Sequence, residues 1–138
     1  MALELYNAPA DACGLQTSGG TESIFLCCLA YREYGKKYKG IKKPNIVCSN
    51  TAHAGFDKAC FYLGMELRKI PLTKDLLCDV DAMREKIDSN TVCVVASCPD
   101  YAFGKFDPVT VIASMAVEKD IGCHLDCCLG GFVNVFSE

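Results

Sequence analysis

No sign of charge dominates this sequence. Its 138 residues carry 14 basic and 17 acidic side chains, a formal net charge of -3, so electrostatics gives no reason to expect a nucleic acid or an anionic membrane as partner. No apolar run approaches the roughly 18 to 20 residues that a membrane span requires. The N-terminus also lacks the basic-then-apolar order of a secretory signal. Apolar residues make up 51% and charged residues 22%, a balance that excludes disordered, collagen-like and coiled-coil chains. The Gly-Lys-Ser/Thr ending of a nucleotide-binding P-loop is missing from the one glycine-rich turn near the start.

Cysteine, by contrast, is abundant. There are 11, an odd number with no C-x-x-C pair, and most stand inside apolar stretches such as Thr91-Val92-Cys93-Val94-Val95. They read as small buried hydrophobes and place the chain in a reducing, cytosol-facing compartment. A metal centre built from Cys123, His124, Asp126, Cys127 and Cys128 is set aside. Successive residues of a strand alternate faces and cannot converge on one tetrahedral ion.

Apolar periodicity switches repeatedly between 2 and 3.6 along the chain, the pattern of alternating strands and helices. Helices are expected over Ser23–Tyr38, Phe56–Leu63, Asp79–Ile87 and Pro108–Lys119. The first ends in a lysine cluster before Gly40, the second at Gly64, and the fourth opens on a proline. The third takes Cys78 or Asp79 as its N-cap. Strands are expected over Asn45–Ser49, Glu66–Ile70, Thr91–Ala96 and Gly122–Asp126. Strands separated by helices imply an α/β fold with a mainly parallel sheet. No repeat, low-complexity tract or interdomain linker interrupts it.

Open parallel sheets bind ligands at the carboxyl ends of their strands, and three segments belong there. Thr17-Ser18-Gly19-Gly20-Thr21-Glu22-Ser23 precedes a helix and reads equally as a phosphate cradle or an ordinary N-cap. His53, just past a strand, could present its flat ring to a planar ligand or cap the next helix, hydrogen-bonded to backbone. Asp126 ends an apolar strand, where a carboxylate is expensive to bury unless it meets a positive group or strong donors. Together the three specify a ligand with a phosphate, a flat ring and a cationic nitrogen, which describes pyridoxal phosphate.

The stretches Thr17 to Ile24, Ser49 to Ala59, Tyr62-Leu63-Gly64-Met65, Pro71-Leu72-Thr73-Lys74, Asp107-Pro108-Val109 and His124 to Phe132, taken in order, resemble the sphingosine-1-phosphate lyases. These stand within the group II pyridoxal-phosphate-dependent decarboxylases. The resemblance implies part of a fold-type I, transferase-like large domain with helices on both faces of its sheet. It also implies a homodimer with its active site near the subunit interface, and cleavage of a phosphorylated long-chain (sphingoid) base to a fatty aldehyde and phosphoethanolamine. By the same resemblance Gly20 and Thr21 hold the cofactor phosphate, His53 stacks on the pyridine ring, and Asp126 pairs with the protonated ring nitrogen. Ser97, Cys98 and Cys127 border the ring, His124 supports them from behind, and Tyr101 is a proton donor or substrate contact.

Three positions depart from the family pattern. Cys127 stands where alanine is usual, Cys98 where threonine or alanine is common, and Phe103 where histidine or tyrosine often precedes Gly104. None of the lysines has the Asp-x-His-Lys context of the family's Schiff-base lysine, which follows the Gly130-Gly131 segment. Residues 1–138 are therefore expected to be a partial cofactor-binding large domain without that lysine segment or the C-terminal small domain. Such a piece should be inactive by itself, bind the cofactor weakly, and associate through unpaired sheet edges. The complete enzyme is expected at the endoplasmic reticulum membrane, facing the cytosol, and this piece in the cytoplasm. Two alternatives stand beside the lyase: a group II amino-acid decarboxylase, and a non-catalytic remnant that pairs with an intact subunit.

Overall fold

A computed structural model describes residues 2–136. Four parallel strands form one sheet in the order β2-β1-β3-β4. They are β1 (Asn45–Ser49), β2 (Glu66–Ile70), β3 (Thr91–Ser97) and β4 (Gly122–Asp126). The helices are α1 (Ala2–Leu5), α2 (Gly20–Lys39), α3 (Gly55–Leu63), α4 (Val80–Lys86) and α5 (Val109–Glu118), with a short 3-10 turn over Asn134–Phe136. Three of the four expected strands have the bounds read from the sequence, and β3 is longer by Ser97. Neither α1 nor the 3-10 turn was expected, because both are too short to show an apolar period.

Strands β1 and β3 are buried along their whole length because helices cover both faces of the sheet. On one face Ile24 and Cys28 of α2 and Phe56, Ala59 and Cys60 of α3 pack on Ile46, Cys48, Cys93 and Val95. On the other, Met83 of α4 and Ile112, Met115 and Ala116 of α5 pack on Val47, Val94 and Ala96. Alternate residues of one strand therefore feed two separate cores. All eleven cysteines are free thiols; Cys28, Cys48, Cys60, Cys78 and Cys93 are buried as the reading of cysteine as a core residue anticipated, whereas Cys27, Cys98, Cys123 and Cys127 are half-buried and Cys13 and Cys128 are exposed. Burial holds the Cys48 and Cys78 thiols up at about 12, far from the reactive thiolate form.

Helix ends follow local chemistry. Gly40 and Gly64 terminate α2 and α3 in the left-handed conformation, with φ of 66° and 64°, where a side chain would be strained. Asp79 is the N-cap of α4, its carboxylate accepting the Ala82 N–H at 3.0 Å. Helix α2 begins at Gly20, three residues before the expected Ser23. The extra turn is stabilised from its own flank: Glu22 accepts from the Ser18 N–H and hydroxyl, and the Ser23 N–H donates to Gly19 O.

At the amino ends of the strands a polar network closes the sheet. The Thr91 hydroxyl donates to Asn45 Oδ1 (2.8 Å), Asn45 Nδ2 donates to Asp88 Oδ1 (2.9 Å), and Arg68 donates to Asp88 Oδ2 (2.7 Å). At the carboxyl ends Asp107 accepts the Ser97 N–H at 2.8 Å on one oxygen and the Cys78 N–H at 3.0 Å on the other. That carboxylate ties the end of β3 to the approach to α4. Among the described residues no helix is long and apolar enough to cross a membrane.

Candidate functional site

The register of the sheet assembles the site. Pairing of β3 with β4 sets Val95 beside His124 and Ser97 beside Asp126, and the Cys98 N–H extends the ladder by donating to Asp126 O at 2.9 Å. In a parallel pair such neighbours share a face, so Ser97, His124 and Asp126 all lie on the side covered by α2 and α3. The first turn of α2 and the loop carrying His53 close over the same place.

Two adjoining cavities result. One, of about 250 Å³, is bounded by Gly20, Ser23, His53, His124, Asp126 and Cys127, among others. The other, of about 210 Å³, is bounded by Thr51, His53, Ser97, Asp100, Tyr101 and Asp126, among others. His53 and Asp126 belong to both, so the cavities are two lobes of one cleft. The two places on which the cofactor reading depends, the turn at Gly20 and the carboxylate of Asp126, therefore face the same space. Thr21 is exposed on that turn and outside both linings, and Cys98 is also outside them.

His53 makes the backbone contact at the start of α3 that its position suggested, and it also borders the cleft. Its Nδ1 accepts the Gly55 N–H at 2.9 Å at the start of α3, which leaves the neutral ring its proton on Nε2. The ring thus fixed borders the cleft. His124 borders the first lobe with Asp126, its Nδ1 2.8 Å from the Cys27 Sγ and its ring edge-on to Phe56 at 5.5 Å. Burial lowers the His124 pKa, with the Asp126 charge opposing it, and burial pushes the Cys27 thiol up to about 12. A neutral imidazole against a neutral thiol is the outcome.

Asp126 is half-buried, and its carboxylate accepts the Cys128 N–H at 3.1 Å. Neither cavity lining contains a lysine or arginine, so a cationic ligand atom would meet an uncompensated acid there. Gly19, the N-cap of α2, makes no side-chain cap, which leaves first-turn amides available to an anion. A Cβ on Gly20 would stand 3.4 Å from Cys128 Sγ, so the missing side chain keeps the wall open. A carboxylate, a flat imidazole and unfilled amides in one cleft suit the ring nitrogen, ring face and phosphate of pyridoxal phosphate.

Burial pushes the Cys127 thiol up to about 11, reinforced by the neighbouring Cys98. Both thiols sit near the turn at Gly131, whose carbonyl accepts from the Tyr6 hydroxyl. Asn134 Nδ2 donates to Cys98 O at 3.0 Å and tethers the 3-10 turn Asn134–Phe136 to the same place. Tyr101 is 77% exposed at the mouth of the second lobe. Sequence reasoning passed over Thr51, Asp100 and the contact of Cys27 with His124. For Asp100 a signal existed, since it follows the Ser97-Cys98-Pro99 turn at the carboxyl end of a buried strand.

Comparison with known proteins agrees with this geometry. The family model described as the pyridoxal-dependent decarboxylase conserved domain matches residues 1–137. The chain is 47% identical over 138 residues to sphingosine-1-phosphate lyase 1 of Mus musculus, covering 100% of this chain and 24% of that protein. It is 40% identical over 140 residues to the sphingosine-1-phosphate lyase of Saccharomyces cerevisiae, again covering 100% and 24%. The solved sphingosine-1-phosphate lyase of Burkholderia pseudomallei superposes with a TM-score of 0.84 at 38% identity, over 86% of this chain and 27% of that one. The chain thus spans about a quarter of the length of the curated relatives it matches. A match that runs through every strand and both lobes of the cleft decides the matter: this chain belongs to the pyridoxal-dependent decarboxylase family.

Proposed function

We propose that this chain forms the cofactor-holding part of a pyridoxal-phosphate-dependent carbon–carbon lyase that acts on a phosphorylated long-chain base and releases a fatty aldehyde and phosphoethanolamine. The observation that carries this reading is the meeting of Gly20, His53, Asp126 and Cys127 on one lobe of the cleft. Identity to the lyases of mouse and yeast supports the lyase over an amino-acid decarboxylase.

When bound, pyridoxal phosphate supplies a sink for the electron pair freed as the carbon–carbon bond breaks. Asp126 would keep the proton on the ring nitrogen, because a carboxylate beside a cation favours the charged form. His53, oriented by the Gly55 N–H, would lie against the ring. The first-turn amides of Gly20 and Thr21 would take the phosphate, with the positive end of α2 behind them. Ser97, Cys98 and Cys127 would border the ring, and His124 would buttress Asp126. Tyr101, at the mouth, would donate a proton or touch substrate. A homodimer with the cleft near its interface, and an address at the endoplasmic reticulum membrane for the complete enzyme, belong to the same reading.

No lysine lines either lobe, so the chain by itself should show no turnover. The test measures pyridoxal phosphate binding by visible absorption, and conversion of a phosphorylated sphingoid base to aldehyde, in the full protein carrying this sequence and in its Asp126→Asn variant. Binding and cleavage in the unsubstituted protein, with at least a hundredfold loss of cleavage in the variant, are expected. Release of carbon dioxide from amino acids without cleavage of the base would overturn the reading.

A further inference from the structure

The carboxyl ends of β3 and β4 bring two thiols together beside the cleft. Ser97 is paired with Asp126, and the Cys98 N–H donates to Asp126 O at 2.9 Å. The next step of the ladder sets Cys98 beside Cys127. Side chains alternate faces along a strand, so both thiols leave the sheet on the face opposite to Ser97 and Asp126. Each is close enough to hydrogen-bond the other.

Their surroundings hold the pair in place. Asn134 Nδ2 lies 3.5 Å from Cys98 Sγ and also donates to Cys98 O. On the other strand the Gly131 N–H donates to Cys127 O at 2.7 Å. Neighbouring strands run about 4.8 Å apart, inside the range of about 4.4–6.8 Å that a disulfide requires between Cα atoms. Both cysteines are half-buried, whereas Cys48 and Cys93 are sealed in the core. A small solute therefore reaches this pair and not those.

We propose that Cys98 and Cys127 form a reversible disulfide, a redox-sensitive clasp that ties the ends of β3 and β4 and distorts the cleft when it closes. Only the consequence for the cleft rests on the functional reading above. The oxidant is a low-molecular-weight disulfide such as oxidised glutathione. One protein thiol gives up its proton and attacks that disulfide, releasing one small thiol; the second protein thiol then displaces the other small thiol from the mixed disulfide. Two protein thiols are oxidised, one small disulfide is reduced to two thiols, and the two protons leave on them. Burial and the neighbouring Cys98 keep the Cys127 thiol protonated, at about 11, so the pair stays open until an oxidant arrives. A disulfide holds its Cβ atoms about 3.8 Å apart, closer than the strand spacing, so closure draws the strand ends together by about 1 Å. Ser97 and Asp126 are the adjoining residues, and Cys127 itself borders the first lobe.

The test treats the full protein, loaded with pyridoxal phosphate, with oxidised glutathione. Disulfides are mapped by mass spectrometry of unreduced peptides, and cleavage of the phosphorylated base is followed in parallel. A Cys98–Cys127 cross-link is expected, with at least a tenfold loss of cleavage that dithiothreitol restores, because a misplacement of about 1 Å at a reaction site costs up to about a hundredfold. In Cys98→Ser and in Cys127→Ser the oxidised and reduced samples should cleave at equal rates. Glutathione resting on the exposed Cys128 with no such cross-link would overturn the proposal. So would undiminished sensitivity to oxidant in the two serine variants, or a cross-link that leaves cleavage intact. If the reduced protein neither binds pyridoxal phosphate nor cleaves the base, the functional reading fails, and the peptide map still decides the disulfide.

Discussion

At the residue scale two carboxylates should pull stability in opposite directions with pH. Burial raises the Asp107 pKa against the opposing Ser97 and Cys78 amides, with Asp100 adding to the rise. A group whose folded pKa is raised favours folding when protonated, so its contribution is present below the ordinary carboxylate range and fades as pH rises through the raised value. For Asp88 burial also pushes upward, but hydrogen bonds from Arg68, Asn45 and the Asn90 N–H outweigh it and hold the carboxyl at about 2. Its contribution is present above the ordinary 3.8 and is lost as pH falls toward about 2. Melting temperatures followed from neutral to strongly acid pH should therefore drop below about pH 4, and Asp88→Asn should flatten that drop. An unchanged acid limb in the variant would remove Asp88 from the account. Asp107→Ala leaves two buried N–H donors unanswered and should cost about 2–4 kcal/mol in urea unfolding, and a loss under about 1 kcal/mol would show that water replaces the carboxylate.

The element scale is governed by how closely α2 approaches the sheet. A Cβ on Gly35, toward the carboxyl end of that helix, would lie 2.6 Å from Val92 Cγ1 and 3.5 Å from Ile41 Cδ1. Overpacking of this kind costs about 1–3 kcal/mol, while alanine in a helix returns about 1 kcal/mol over glycine. Gly35→Ala should thus be destabilising by up to about 2 kcal/mol, and a more stable variant would mean that Val92 moves aside freely. At α4 the Asp79 cap stands alone at its end of the helix, so Asp79→Ala should cost about 1 kcal/mol, read as earlier loss of helical circular dichroism on heating.

For the whole molecule the two outer strands matter most. β4 is only half-buried along its length, unlike β1 and β3. Leu129, Phe132, Val133 and Phe136, which follow it, are all more than half exposed. An open strand edge beside an apolar surface invites pairing with another chain. Expressed by itself, the 15.0 kDa chain should elute well above its own mass or precipitate, and a stable monomer at high concentration would contradict this.

The sequence by itself determined the order of the strands and nearly all of their bounds, the parallel sheet, the buried role of the cysteines within apolar runs such as Cys48 and Cys93, and the three segments that meet at the cleft. Those features are written in local periodicity, in helix-ending glycines and in the position of polar residues just past apolar runs, all of which act within a few residues of one another. Tertiary structure alone decided that α2 opens at Gly20, that His53 both caps α3 and borders the cleft, that Cys27 meets His124, and that Cys98 meets Cys127. Each depends on strand register and on which helix end closes over it, and no spacing along the chain encodes which residues of two strands stand side by side.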